Sequence, residues 1–246
     1  MRKNTVVFGI VTLALCVGVW ATPSYATPIV LPDANAAVEG TVQQSHAFNA
    51  GPRTRQFAYD ESQLIGALGM NLVGLAFRLN AGEASPASPL VFAAYDIQLS
   101  TSLNQPGSLD DIFANNIAPD VVTVRSGPLT IPANAFPSGS SPNLFGPEIT
   151  FTTPFTYGGG DLLITIRYTG NGVQSPIMDG VPNSTTAEGQ AAGSYTATVD
   201  GGATLNAPVV QLTAVTAVPE PTSLLLLGTG IAGVAAKARQ RRRQAK

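Results

Sequence analysis

Apolar residues recur at every second position in three separate stretches, and this constrains the fold more than any other feature of the chain. Val73, Leu75, Phe77 and Leu79 alternate with Leu72, Gly74, Ala76 and Arg78. Tyr95, Ile97 and Leu99 alternate with Asp96, Gln98 and Ser100, and Leu162, Ile164, Ile166 and Tyr168 alternate with Leu163, Thr165 and Arg167. Side chains of a strand point to opposite faces in turn, so each stretch predicts a half-buried strand. Weaker patterns predict strands over 55–59, 121–125, 148–153, 193–199 and 209–215, about eight in all. Clusters of Pro, Gly, Asn and Ser separate them, where a parallel α/β sheet would need helices. The predicted fold class is all-β: a single antiparallel β-sandwich or jelly-roll-like domain. One short helical turn is predicted, with Ser108-Leu109-Asp110-Asp111 as a capping box and Ile112 and Phe113 on its buried side, ending near Asn115.

Both ends of the chain carry targeting patterns. Arg2 and Lys3 precede an apolar stretch from Val6 to Trp20, followed by Ser24-Tyr25-Ala26. A charged start, an apolar middle and a small-x-small box predict a secretory signal peptide over 1–26, cut after Ala26. Cys16 is the only cysteine, and Leu13-Ala14-Leu15 before it places a bulky leucine where a lipoprotein signal needs a small residue. The exported domain is then 27–217.

At the other end stand Val218, Pro219, Glu220, Pro221, Thr222 and Ser223, an uncharged run from Leu224 to Ala236, and the basic residues Lys237, Arg239, Arg241, Arg242 and Arg243. Each proline fixes its own φ and pushes the residue before it away from helix, which predicts a stiff, extended and accessible box. A thirteen-residue helix rises only about 20 Å against a hydrocarbon core of roughly 30 Å. Extending the span to 222–238, with Lys237 and Arg239 reaching for the headgroups, closes most of that gap. The basic end, 237–246, is expected to stay cytoplasmic, with the body outside.

The order and spacing of these parts resemble the PEP-CTERM sorting signal, the C-terminal tag of exported Gram-negative proteins read by an exosortase, a membrane-embedded cysteine transpeptidase. The resemblance covers the tail alone. It implies a transient anchor at the inner membrane with the body in the periplasm, cut near Pro219 to Pro221, and a mature form at the cell surface or released. Exosortase and the membrane are the partners so implied, with exopolysaccharide left open as an acceptor.

Charge narrows the function of the exported part. Between 27 and 217 there are five arginines, no lysine and fourteen carboxylates, a net charge of −9, while the whole chain sums to −2. An acidic body of this kind argues against nucleic-acid binding and against docking on an anionic bilayer. It holds no cysteine, so its stability must come from a core rather than from disulfides.

The residues of this part nominate no catalytic centre. His46 is the only histidine and has no nucleophile elbow for company, so a Ser-His-Asp triad or a tetrahedral zinc site is not expected. The carboxylates leave calcium open as a bound ion, although the spacing of an EF-hand loop is absent. Asp60-Glu61 is expected in a turn after a strand, Asp110 and Asp111 at a helix start, Asp179-Gly180 in a hairpin or loop turn, and Asn183-Ser184-Thr185 in a loop. Gly228-Thr229-Gly230-Ile231-Ala232-Gly233 matches a dinucleotide fingerprint in letters only, since no βαβ unit can follow it. With Trp20 leaving in the signal peptide, Tyr59, Tyr95, Tyr157, Tyr168 and Tyr195 are the rings left to stack on a sugar. The expectation is a non-enzymatic exported surface or extracellular-matrix protein. The alternatives are a polysaccharide- or ligand-binding module and a carboxylate-dependent hydrolase.

Overall fold

The computed structural model describes residues 26–44, 47–202, 206–216 and Gly230. The signal segment before Ala26, His46, the box 218–223, the span 222–238 apart from Gly230, and the basic end therefore lie outside the described residues. By its contacts the chain divides into two units, Tyr25–Ala217 and Met1–Ser24 with Val218–Lys246; the β structure lies in the first. No helix among the described residues is long and apolar enough to cross a membrane.

In chain order the strands are β1 (Ala26–Leu31), β2 (Val42–Gln44), β3 (Arg53–Tyr59), β4 (Met70–Phe77), β5 (Leu90–Phe92), β6 (Tyr95–Thr101) and β7 (Val122–Arg125). They continue as β8 (Leu129–Ile131), β9 (Ile149–Thr156), β10 (Leu162–Tyr168), β11 (Met178–Val181), β12 (Ala187–Ala192), β13 (Ala207–Pro208) and β14 (Val210–Thr216). One sheet runs β1-β14-β4-β9 and a second β12-β3-β10-β6-β7; β13-β11-β2 and β5-β8 form smaller sheets. The described pairings are antiparallel, as the alternating pattern predicts.

The strongest sequence pattern marks the centre of the five-stranded sheet. In β10 every residue pairs on both sides, Ile164 opposite Phe57 and Leu99, and Ile166 opposite Arg55 and Ile97. Leu162, Ile164, Ile166 and Tyr168 share one face and enter a core cluster that also takes Leu72, Leu75 and Phe77 from β4 and Leu212 from β14. The core thus draws on both large sheets. Tyr95 and Tyr168 stack with ring centroids 5.3 Å apart, and Phe48 meets Phe77 edge-on at 5.3 Å, geometries that add to the area these rings bury.

Several expectations need correction. In β4 the register shifts between Leu72 and Gly74, so the bulge reverses the parity: Leu72 joins Leu75 and Phe77 in the core while Val73 is only half-buried. Arg78, expected on the outer face, is buried. The other face of β10 is also covered, with Leu163 and Thr165 buried, so that strand is not half-buried.

Residues 193–199 form no strand; the strand is β12, just before them. Its sequence, Ala-Glu-Gly-Gln-Ala-Ala, carries no apolar alternation, and small residues suit it because neighbours stand close: a Cβ on Gly189 would meet Asn206 O at 2.9 Å and the Phe57 ring at 3.2 Å. The predicted helix at Ser108 is absent as well. There Asp200 N donates to Asp111 O (2.7 Å), Phe113 N to Thr198 O (3.0 Å), and Ile112 bridges Val199, so the backbone is spent on a neighbouring segment. Only Phe113–Asn116 forms a 3₁₀ turn, with Phe113 buried and Ile112 exposed. The turn chemistry at Asp60 goes further than a polar turn: its carboxylate accepts from Ser62 N and opens a 3₁₀ helix over Glu61–Ala67.

Candidate functional site

The two ends of the exported part lie side by side. β1 and β14 are antiparallel neighbours with Ala26 opposite Val215, and on its other side β14 pairs with β4, Thr216 opposite Met70. Ala26, the residue at the expected signal cleavage, and Thr216, the last residue of β14, are therefore at one end of the four-stranded sheet. The Leu-Thr-Ala-Val run of β14 holds that position because Val210, Leu212 and Ala214 are buried between β1 and β4.

Next to this exit the 3₁₀ helix Glu61–Ala67 turns back into β4. Leu64 and Ala67 fill its buried side, which leaves Ile65 and Leu68 exposed at 76% and 63%. With Glu61, Ser62, Leu64, Tyr157 and Gly159 they line a pocket of about 290 Å³. Gly159 has φ 105°, a conformation that favours glycine, and a Cβ there would stand 3.5 Å from Leu68 Cδ1. Tyr157 O accepts from Gly69 N (2.8 Å), and Tyr157 N donates to Met70 O (2.9 Å), tying the pocket floor to the start of β4.

The rim is acidic. Asp161 Oδ1 accepts from Glu61 N at 2.9 Å, yet burial together with Asp60 and Glu61 holds the Asp161 carboxyl above its ordinary range. Burial, then the same carboxylates, pushes the Tyr157 phenol up to about 12.

A second pocket, about 230 Å³, is polar and lined by Leu109, Asp111, Asn183, Glu188, Gly189, Gln190, Asp200 and Gly202. Several of its polar groups are engaged within the domain. Glu188 Oε2 accepts from Gly107 N (2.8 Å) and Leu109 N (3.0 Å), and Asp200 Oδ1 from Ala191 N (2.8 Å). Asn183 exchanges two bonds with Gly189, which fixes the loop expected at that residue. Beneath lies a buried amide network in which Asn116 Nδ2 and Gln190 Nε2 both donate to Gln56 Oε1 at 2.9 Å.

Other singled-out residues are scattered. Asp179 is not in a turn: it is fully buried in β11, where Oδ2 accepts from Arg78 Nε at 2.8 Å and Oδ1 from Gly40 N at 2.8 Å. Burial pushes its carboxyl up, and Arg78, Gly40 N and Gly180 N pull it back. Asp110 accepts from Ile112 N (2.7 Å) as a loop brace, not at a helix start. Tyr59, Tyr95, Tyr157 and Tyr168 are in the core, and Tyr195 hydrogen-bonds Asp96, so the tyrosines do not form a stacking platform. Among the described residues no three His, Cys, Asp or Glu side chains gather in a way that would hold a metal ion. Reading the sequence missed Ile65, Leu68 and Tyr157 as a group, because their meeting depends on the antiparallel return of β9 onto β4.

No curated protein and no solved structure matches the chain. A family model does: the PEP-CTERM protein-sorting motif matches residues 217–243, beginning one residue after Thr216. The matched span includes Val218, Pro219, Glu220, Pro221 and Thr222 and the basic residues Lys237, Arg239, Arg241, Arg242 and Arg243. The chain carries a PEP-CTERM protein-sorting motif, and with it the mark of an exosortase-sorted protein.

Proposed function

We propose that this chain is the precursor of an exported bacterial surface or extracellular-matrix protein with no catalytic activity. Its exported part is a β-sandwich in which the four- and five-stranded sheets face each other across the shared core. Signal peptide 1–26 starts export, and the span 222–238 holds the precursor in the inner membrane with the body in the periplasm. Exosortase acts near Pro219 to Pro221. The observation that carries this reading is the sorting-motif match at 217–243, directly after the last strand.

The fold supports it in one respect. Ala26 pairs with Val215, and this supports processing of both ends from one membrane surface without unfolding the domain. Neither a ligand-binding nor a hydrolase reading has a comparable observation behind it, since Glu188 and Asp200 of the polar pocket accept from backbone N–H groups and four tyrosines are buried.

Replacing Pro219 and Pro221 by alanine removes the φ restriction and lets helix extend outward from Leu224 over the scissile region. In a host with the matching exosortase, precursor should accumulate in the membrane, read by mass spectrometry of cell-associated and secreted forms. Recovery of wild-type mature protein with its Arg-rich end intact would overturn the reading in favour of a permanent anchor.

A further inference from the structure

An enzyme that cuts near Pro219 to Pro221 works on a short leash. From Thr216 to Pro221 is five residues, at most about 18 Å of fully extended chain. A single helix with its side chains is already about 10 Å across, so a multi-helix membrane enzyme bound to this box must stand against the end of the domain from which β14 emerges. That end is not a neutral surface.

Met70 pairs with Thr216, and strands in a sheet are about 4.8 Å apart. Leu68 is two residues before Met70, and Ile65 is one turn further back, so both exposed side chains lie within the reach of the leash. Between them is the pocket floored by Leu64 and Tyr157 and rimmed by Glu61, whose N–H donates to Asp161 Oδ1. An apolar hollow with a carboxylate rim suits an aliphatic or aromatic side chain flanked by Lys or Arg. It does not suit anionic lipid headgroups, which the rim repels.

We propose that the pocket formed by Leu64, Ile65, Leu68 and Tyr157, with its Glu61 rim, is a docking site for a basic, apolar-tipped segment on the outward-facing surface of the exosortase. It rests on the sorting reading above and adds a second recognition element, carried by the folded domain, to the one in the tail. The tail then selects the substrate class, and the pocket orients the domain so that the box is presented to the enzyme.

The test uses the full-length precursor in a host with its exosortase, following conversion of precursor to processed form by pulse-chase. The double variant Ile65→Ser/Leu68→Ser should slow processing on the order of tenfold, the scale expected from losing two aliphatic anchors of an apolar contact. Glu61→Lys should slow it as well, because a cation would then face a cation. Leu144→Ser, which alters an exposed leucine beside the Asn143 contact with Leu79 at the other end of the sheet, should process at the wild-type rate. Equal thermal midpoints for all variants exclude misfolding as the cause.

Wild-type processing of Ile65→Ser/Leu68→Ser would overturn the proposal, and faster processing of Glu61→Lys would assign the surface to an anionic bilayer and overturn it too. The Pro219→Ala/Pro221→Ala variant runs beside them. If it stalls while Ile65→Ser/Leu68→Ser does not, docking alone fails; if it is processed normally, the sorting reading fails. A photo-crosslinker on Leu68→Cys gives a direct readout, since Cys16 in the signal segment is the only native cysteine. An adduct with the exosortase supports docking, and an adduct with lipid alone overturns it.

Discussion

The two ends of β4 are built on opposite terms. Just past Phe77, Arg78 and Asp179 are both buried, and the pair is closed by bonds of 2.8 Å to Nε and 2.7 Å to Nη2. Arg78 Nη2 also donates to Val38 O at 2.7 Å, and its guanidinium lies 5.3 Å from the Phe145 ring centre. Nearby, Asn143 Nδ2 donates to Leu79 O and Asn80 O at 3.1 Å each. Charge has been drawn inside and committed to holding segments together. Just before Met70 the arrangement is reversed, with Ile65 and Leu68 exposed and the carboxylates left at the rim. One end of the strand is closed by polar contacts, and the end paired with Thr216 offers apolar surface.

The closed end should show the largest response to mutation. Asp179→Ala leaves the Arg78 charge buried without its carboxylate, and breaking a buried pair in this way costs about 3–5 kcal/mol. Chemical denaturation measures it. Replacing both partners with apolar residues of similar size, Arg78→Met with Asp179→Leu, should cost much less than Asp179→Ala, because no charge is stranded. If the single variant lost no more stability than the double, the pair would not be what closes this end, and the contrast between the two ends would collapse.

Arg55 shows why only some of this was legible beforehand. It stands in β3 opposite Ile166, on the core face, with Nε 3.5 Å from Tyr168 Oη, and Nη1 and Nη2 have no hydrogen-bond partner among the described residues. Burial lowers its guanidinium to about 10, against the nearby tyrosines. No pattern rule places an arginine there, since alternation sorts residues by polarity and would send it outward. The same rule worked for Ile164, Ile166, Ile97 and Leu99, where side-chain type and face agree. It failed at Leu72, where a bulge changes the face without changing the sequence, and at β12, where packed backbone takes the place of large side chains. Asp179-Gly180 was misread for a related reason: local turn chemistry cannot register a partner 101 residues away. The sorting motif was readable because its parts act through local order and spacing, which a one-dimensional sequence contains.

A pH series sharpens the contrast at the open end. Burial and the neighbouring Asp60 and Glu61 raise the Asp161 carboxyl in the folded protein, so the folded state binds a proton more readily than the unfolded chain. Its favourable contribution is full below the ordinary carboxylate range and is lost as pH rises through the raised value. Asp161→Asn keeps an oxygen for Glu61 N and removes the charge. Relative to wild type, that variant should gain stability as pH rises through the ordinary carboxylate range and past the raised value, and then hold level, a small effect beside that of Asp179. A difference that stays flat across the series would show that the Asp161 carboxyl is not raised in the folded protein.

The smallest expected effect on stability is the most telling for the open end. Ile65 and Leu68 project from a 3₁₀ turn whose buried work is done by Leu64 and Ala67, and their exposure means that little apolar area is removed from water when the domain folds. Changing both to serine should therefore alter unfolding free energy by no more than about 0.5 kcal/mol, the ordinary range for surface positions. A loss of several kcal/mol would mean that these side chains brace the turn, and any slowing of processing would then reduce to a weakened domain. Unchanged stability leaves two aliphatic side chains held out to solvent at the end of the sheet where β14 stops, with no structural duty, which is the physical condition for a surface kept for a partner.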